Sequence, residues 1–409
     1  MRRFLVVGLF ASLLVVTGCG GGGSSSSGGS GGGGGSVANT VPIVVNSGLT
    51  NSVDTAFVSV TVCVPGTSTC QTVDNVVVDT GSFGLRILKS AIPNLSLPQE
   101  NGPTGNPLLN CGQFASFFTW GPVMTADVKI AGEVANSVPI QVVGEADTGF
   151  PTPTTKCAQS SKDGSTLLGL GGNGLIGVGE FLQDCGPACS TSTNNPGFYY
   201  ECPTATTCNQ TPANVPTNLQ VANPVSFFAG DNNGVIIQLP SVPSTGLPSA
   251  TGTLIFGIGT QSNNGLGKAT VFTLDRNGNF TTVFANNSYP GSFLDSGSNG
   301  IFFLTPNDPG IKGTGIIDCG GNDAGFYCTP ATLNFSATNQ GTNGASNTVQ
   351  FSVADAKTLF TTGNTAFNNL TGTNAGSFDW GLGFFFGRTV FTAIEGQNTP
   401  AGAGPYFAY

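Results

Sequence analysis

The chain has no histidine. Ser-His-Asp and Cys-His catalysis in their usual forms are excluded, as are histidine-held metals. Charge is scarce: 8% of residues are charged, with 12 Lys plus Arg against 21 Asp plus Glu, for a net charge of −9. Cations spread this thinly form no basic stripe, so nucleic acid is not an expected partner. Leu-rich helical heptads are missing. No glycine-rich loop sits between a strand and a long helix, so phosphate cradling is not expected either. What is left for hydrolysis is carboxylate chemistry.

Residues 1–3 are a basic start and residues 4–16 an apolar run of secretory-signal length, too short for a comfortable membrane span. The run ends in Val16-Thr17-Gly18-Cys19, which resembles the lipobox of bacterial lipoproteins. That resemblance implies a signal peptide over residues 1–18, cleavage before Cys19 and a lipid on its sulfur. The competing reading is an ordinary signal peptide with an incidental cysteine. Gly20 is not the aspartate of an inner-membrane retention signal, which implies the outer membrane, on its periplasmic or surface face. Residues 20–36 are almost pure glycine and serine. Such a tether reaches about 23 Å as a flexible coil and leaves no span for a folded pro-segment ahead of the body. The expected organisation is a lipidated tether over 19–40, an N-terminal lobe over 41–200 and a C-terminal lobe over 201–409.

Short apolar runs punctuated by Gly, Pro and Asn recur through the body, at 57–64, 73–78, 123–130, 138–143, 235–239, 253–258, 269–274, 280–284 and 349–353. This pattern predicts an all-β protein, with helix confined to pieces such as 354–362. Eleven cysteines are present. With Cys19 set aside, an even number remains in an exported chain, which reads as disulfides. Short spacings suggest Cys63–Cys70, Cys185–Cys189, Cys202–Cys208 and Cys319–Cys328, leaving Cys111 with Cys157. The region 185–208 is expected near the lobe junction. A stapled surface loop is the simpler expectation there; a cleft-shaping or partner-binding loop is the alternative. Phe384-Phe385-Phe386 is expected in the core.

Two stretches carry the chemistry. In residues 76–88, three valines run into Asp79-Thr80-Gly81-Ser82, followed by more apolar chain. Residues 292–304 repeat the design around Asp295-Ser296-Gly297-Ser298. Facing turns of this kind would bring two carboxylates together, and two close carboxylates hold one proton between them. The ionised acid can then deprotonate water while the protonated one donates to a carbonyl oxygen. Asp147-Thr148-Gly149-Phe150 is a decoy: no apolar strand precedes it and no hydroxyl follows the glycine.

Both motifs resemble the active-site loops of pepsin-like aspartic peptidases. Asn173–Gly179 and Trp380-Gly-Leu-Gly383-Phe-Phe-Phe386-Gly-Arg388 resemble the glycine strands threaded beneath those loops. The resemblance implies two double-ψ, barrel-like lobes related by pseudo-two-fold symmetry around a central cleft that holds an extended peptide. It implies that Asp79 and Asp295 are the catalytic pair. Thr80 and Ser296 would bond across to the opposite loop, Ser82 and Ser298 would bond the outer carboxylate oxygens, and Gly81 and Gly297 would allow close backbone approach. No cofactor and no metal is implied. The segment 116–143 resembles the flap hairpin, with Trp120-Gly121 at its tip in place of Tyr-Gly. Arg86 stands where the family carries a tryptophan, and a cation–π contact between Arg86 and Trp120 is expected. The leading functional expectation is an aspartic-type endopeptidase. The alternative is a non-catalytic cell-envelope protein of the same fold that binds peptides or an envelope partner.

Overall fold

The computed structural model describes residues 39–144, 151–158, 162–191 and 193–409. Cys19, the signal and tether segments, and the decoy at Asp147 lie outside the described residues. Among the described residues strands are the main regular structure, gathered into barrel-like sheets, with little helix.

In the first half β1 is Thr40–Val45, β2 Ala56–Cys63, β3 Cys70–Asp79, β4 Phe83–Leu88, β5 Leu108–Gln113, β6 Phe117–Ile130, β7 Glu133–Val143, β8 Gly174–Val178 and β9 Tyr199–Glu201. In the second half β10 is Gly234–Gln238, β11 Ala250–Phe256, β12 Val271–Thr273, β13 Phe280–Phe284, β14 Asn287–Leu294, β15 Ile301–Leu304, β16 Leu333–Gln340, β17 Ser346–Val353, β18 Asn374–Trp380, β19 Thr389–Ala393 and β20 Tyr406–Ala408. Helix is limited to single turns and short pieces such as α1, Ala356–Thr361, whose N-cap Asp355 accepts from Thr358 N.

One long sheet runs β9-β5-β6-β7-β4-β8-β3-β2-β1-β11-β10-β19-β20-β12. It crosses between the halves where β1 pairs with β11 over six residues, from Thr40 opposite Ile255 to Val45 opposite Ala250. A second sheet, β17-β16-β13-β14-β18-β15, belongs to the second half. Its core is aromatic. Phe303 lies 5.1 Å from both Phe351 and Phe378 and 5.6 Å from Tyr327, ring centre to ring centre. Trp380 completes the cluster 5.3 Å from Phe378, and its indole N–H donates to Thr282 Oγ1 at 3.1 Å. Phe384, Phe385 and Phe386 are buried, as expected.

The five expected disulfides are all present: Cys63–Cys70, Cys111–Cys157, Cys185–Cys189, Cys202–Cys208 and Cys319–Cys328. The region around Phe198-Tyr199-Tyr200 is not a surface loop. Tyr199 and Tyr200 are fully buried, and β9 adds a strand beside β5 with Tyr199 opposite Asn110. Two large aromatic side chains gain more from burial here than a solvated loop would offer.

Candidate active site

The two acid loops are built alike. β3 runs three valines into Asp79, and β8 lies parallel beneath it with Gly177 beside Asp79. In the second half β18 lies parallel to β14, with Asp379 beside Phe293 and Trp380 beside Leu294. The strand ends there. Gly381, the next residue, sits under the Asp295 loop: an added Cβ would lie 2.7 Å from Ser298 O. Gly383, expected in that place, is instead within the helical turn Leu382–Phe385, where an added Cβ would meet its neighbours at 3.4 Å.

The loops interlock. Thr80 Oγ1 donates to Leu294 O at 3.2 Å and accepts from Ser296 N at 2.9 Å. Ser296 Oγ donates to Val78 O at 2.8 Å and accepts from Thr80 N at 3.1 Å. Four bonds thus tie residues more than two hundred positions apart, and both hydroxyls are buried. Gly81 N donates to Asp79 Oδ1 and Gly297 N to Asp295 Oδ1, each at 2.8 Å. Ser82 Oγ donates to Asp79 Oδ2 at 2.5 Å. Each glycine also faces the opposite acid: a Cβ on Gly81 would lie 2.5 Å from Asp295 Cγ, and one on Gly297 would lie 2.7 Å from Asp79 Cγ. No other residue type fits at either place. Burial, and then the neighbouring Asp295, push the Asp79 carboxyl well above its ordinary range.

Two acids that sequence reasoning passed over stand beside the pair. Asp379 Oδ2 lies 2.6 Å from Ser298 Oγ, the same hydroxyl that lies 2.9 Å from Asp295 Oδ2. Its Oδ1 is buried without a partner. Burial first, and then Asp295, raise Asp379 well above its ordinary range. Glu180 follows the glycine strand of the first half. Burial, with Glu395 and the two dyad acids adding to it, pushes Glu180 up to about 8. The available signal for Asp379 was its setting: an acid between Phe378 and Trp380, inside an apolar strand of a chain poor in charge.

The hairpin differs from expectation. β5 and β6 pair with Cys111 opposite Trp120 and Gln113 opposite Phe118, so the tip is the turn at 114–117. Trp120, Gly121 and Pro122 lie mid-strand and buried. Register is set by the whole strand pair, which local sequence does not reveal. The Trp120 indole donates to Pro151 O at 2.7 Å and its ring packs on Tyr200 at 5.7 Å. Arg86 does not stack on Trp120. Its guanidinium sits 5.2 Å over the ring of Phe114, at the hairpin tip. It also donates to Phe83 O at 2.8 Å and pairs with Asp184 at 3.1 Å. Asp184 accepts from Asn110 of β5 at 2.9 Å and from the Tyr199 hydroxyl of β9. Burial pushes Asp184 up to about 6 although Arg86, Tyr199 and Asn110 pull the other way. The hairpin is further tied by Cys111–Cys157 and by Gly164 N donating to Phe118 O at 2.8 Å.

A family model described as a protein of unknown function, DUF3443, matches residues 35–409. The chain belongs to the DUF3443 family. No curated protein matches it. Among solved structures, the DUF3443 chain is similar to the crystal structure of an aspartic proteinase from Irpex lacteus, with a TM-score of 0.50 over 90% of this chain and 96% of that one. The identity is 16%, so the likeness establishes the pepsin-like fold of this DUF3443 member and nothing finer.

Proposed function

We propose that this protein is an aspartic-type endopeptidase acting on extended peptides through Asp79 and Asp295. The observation that carries the reading is the four-bond interlock of Thr80 and Ser296, which holds two carboxylates face to face. Two facing acids cost stability. A scaffold has no use for that cost, whereas water activation does. In the proposed reaction the ionised acid takes a proton from a water held between the pair. The hydroxide adds to the peptide carbonyl carbon while the protonated acid gives its proton to the carbonyl oxygen. Collapse of the tetrahedral intermediate breaks the C–N bond, with a proton passing to the leaving amine. The pair titrates as a unit.

A second reading is a non-catalytic envelope protein that binds peptides. The tied hairpin favours it, because closure over substrate normally needs a mobile lid. In either case we propose that Cys19 is lipidated and that residues 20–36 tether the body to a bacterial envelope membrane. A pH series of casein and peptide-library cleavage tests the first reading, with Asp79→Asn and Asp295→Asn beside the wild type and a statine-type inhibitor as control. Loss of cleavage in both variants supports it. Cleavage that survives either substitution sinks it, and tight inhibitor binding without cleavage supports the second reading. Metabolic labelling with a fatty acid, lost in Cys19→Ala, tests the anchor.

A further inference from the structure

We infer that Asp379 is a positioning residue, which holds a proton while the site works and directs the Ser298 hydroxyl onto Asp295. The inference rests on the peptidase reading for its catalytic consequence, but not for the state of Asp379 itself.

The reasoning is a proton count. Ser298 Oγ lies 2.9 Å from Asp295 Oδ2 and 2.6 Å from Asp379 Oδ2. A serine hydroxyl has one hydrogen to donate and can accept. A carboxylate only accepts. Both acids cannot therefore be ionised and satisfied by Ser298 together. With Asp295 ionised, the consistent order is Asp379 O–H to Ser298 Oγ, and Ser298 O–H to Asp295 Oδ2.

The surroundings of Asp379 fit a neutral acid. Its Oδ1 is buried without a partner, a heavy penalty for a charged group and a smaller one for a neutral carbonyl oxygen. Its neighbours in register are Phe293 on β14 and Phe302 on β15. The charges that act on it are those of Asp295 and Asp79, both of which disfavour a further anion.

Ionising Asp379 reverses the chain. The Ser298 hydrogen turns to Asp379, and Asp295 keeps Gly297 N at 2.8 Å and Ser298 N at 3.2 Å on its other oxygen. The Asp295 carboxylate then loses the Ser298 donor that orients its Oδ2. Asp379 thus sets the alkaline limb of activity. The first half has no such device, because Leu175 lies beside Val77 where Asp379 lies beside Phe293.

The test uses Asp379→Asn, whose amide donates to Ser298 at every pH, with Ser298→Ala and the double variant. The first measurement is thermal unfolding from pH 4 to 8. An acid that is neutral in the fold and ionised when unfolded makes the native state bind more protons, so wild-type stability falls as pH rises above its ordinary value. Asp379→Asn escapes that fall. Its Tm should match the wild type near pH 4 and exceed it by about 3 °C at pH 7. A gap that is flat with pH, or that opens the other way, overturns the inference whether or not the protein is a peptidase. The second measurement is the pH profile of kcat/KM. Asp379→Asn should move the alkaline limb up by about one pH unit. Ser298→Ala should lose about tenfold to a hundredfold, and in that background Asp379→Asn should no longer move the limb. A limb that coincides with the wild type overturns the catalytic consequence. Wild-type protein that cleaves nothing, but shows the expected Tm gap, overturns the peptidase reading and leaves the proton on Asp379 standing.

Discussion

In the first half, the strand beneath the acid loop places Leu175 opposite Arg86. In the second half, the matching strand places Asp379 opposite Phe302. Both halves thus put one ionisable group and one apolar group at the same pair of positions, but on opposite strands, a base in the first half and an acid in the second. Arg86 turns away from the acid pair to Asp184 and the hairpin, while Asp379 turns toward the acid pair through Ser298. One half uses its ionisable group to tie the hairpin, and the other places its ionisable group against the Ser298 hydroxyl. The means of cohesion differ as well. Four of the five disulfides lie in the first half, around the hairpin, whereas the second half is held by its cluster of phenylalanines. Near-symmetric backbones have been stabilised by unlike side-chain chemistry.

That contrast can be broken half by half. Phe303→Ala empties the centre of the aromatic cluster and should cost about 4 kcal/mol in urea unfolding. Hydrogen exchange should then quicken in β13–β18 and leave β5–β6 unchanged; an even loss across both halves would refute their separate cohesion. Cys111→Ala with Cys157→Ala opens the longest disulfide loop and should cost about 3 kcal/mol, with exchange quickening in β5 and β6 instead. Arg86→Met should cost about 2 kcal/mol at pH 8 and little at pH 5. The direction follows from Asp184, which loses its proton near pH 6 in the fold and needs its cation only above that. A cost that did not change with pH would show that Arg86 acts by packing alone. Glu180→Gln should act in the opposite direction and stabilise the protein. Glu180 keeps its proton to about pH 8 in the fold but ionises at its ordinary value when unfolded, so it drains stability as pH rises between the two. The variant should match the wild type near pH 4 and gain about 3 kcal/mol at pH 7, measured by the same urea series.

The acid loops were legible because their chemistry is local: carboxylate, hydroxyl, glycine and hydroxyl stand side by side at Asp79 and again at Asp295. The all-β character was legible for the same reason, since a strand such as Phe280–Phe284 carries its own alternation of buried and half-buried residues. The cysteine pairs followed because four of the five close short loops. The hairpin tip was not legible. Trp120-Gly121 has the look of a tip, but pairing along the whole of β5 and β6 places the turn at Phe114 and makes that ring the partner of Arg86. Asp379 was hidden in a different way. Its partner Ser298 lies 81 residues earlier, and the meaning of an acid between two aromatics depends on what faces it across the sheet. β1 was hidden by position, since its first residue, Thr40, and the glycine-rich stretch before it read as the end of a tether.

The pairing of β1 with β11 has a mechanical side. The chain enters the described fold at Asn39 and runs at once into six residues paired with the second half. A pull on that end along the strand loads the β1–β11 hydrogen bonds together, in shear, since they run across the strand direction. Asn39 adds its own grip, with its amide donating to Phe256 O at 2.8 Å. Tension arriving from the N-terminal side is therefore borne by the seam between the halves. The acid loops hang from β3 and β14, away from the strand that takes the strain.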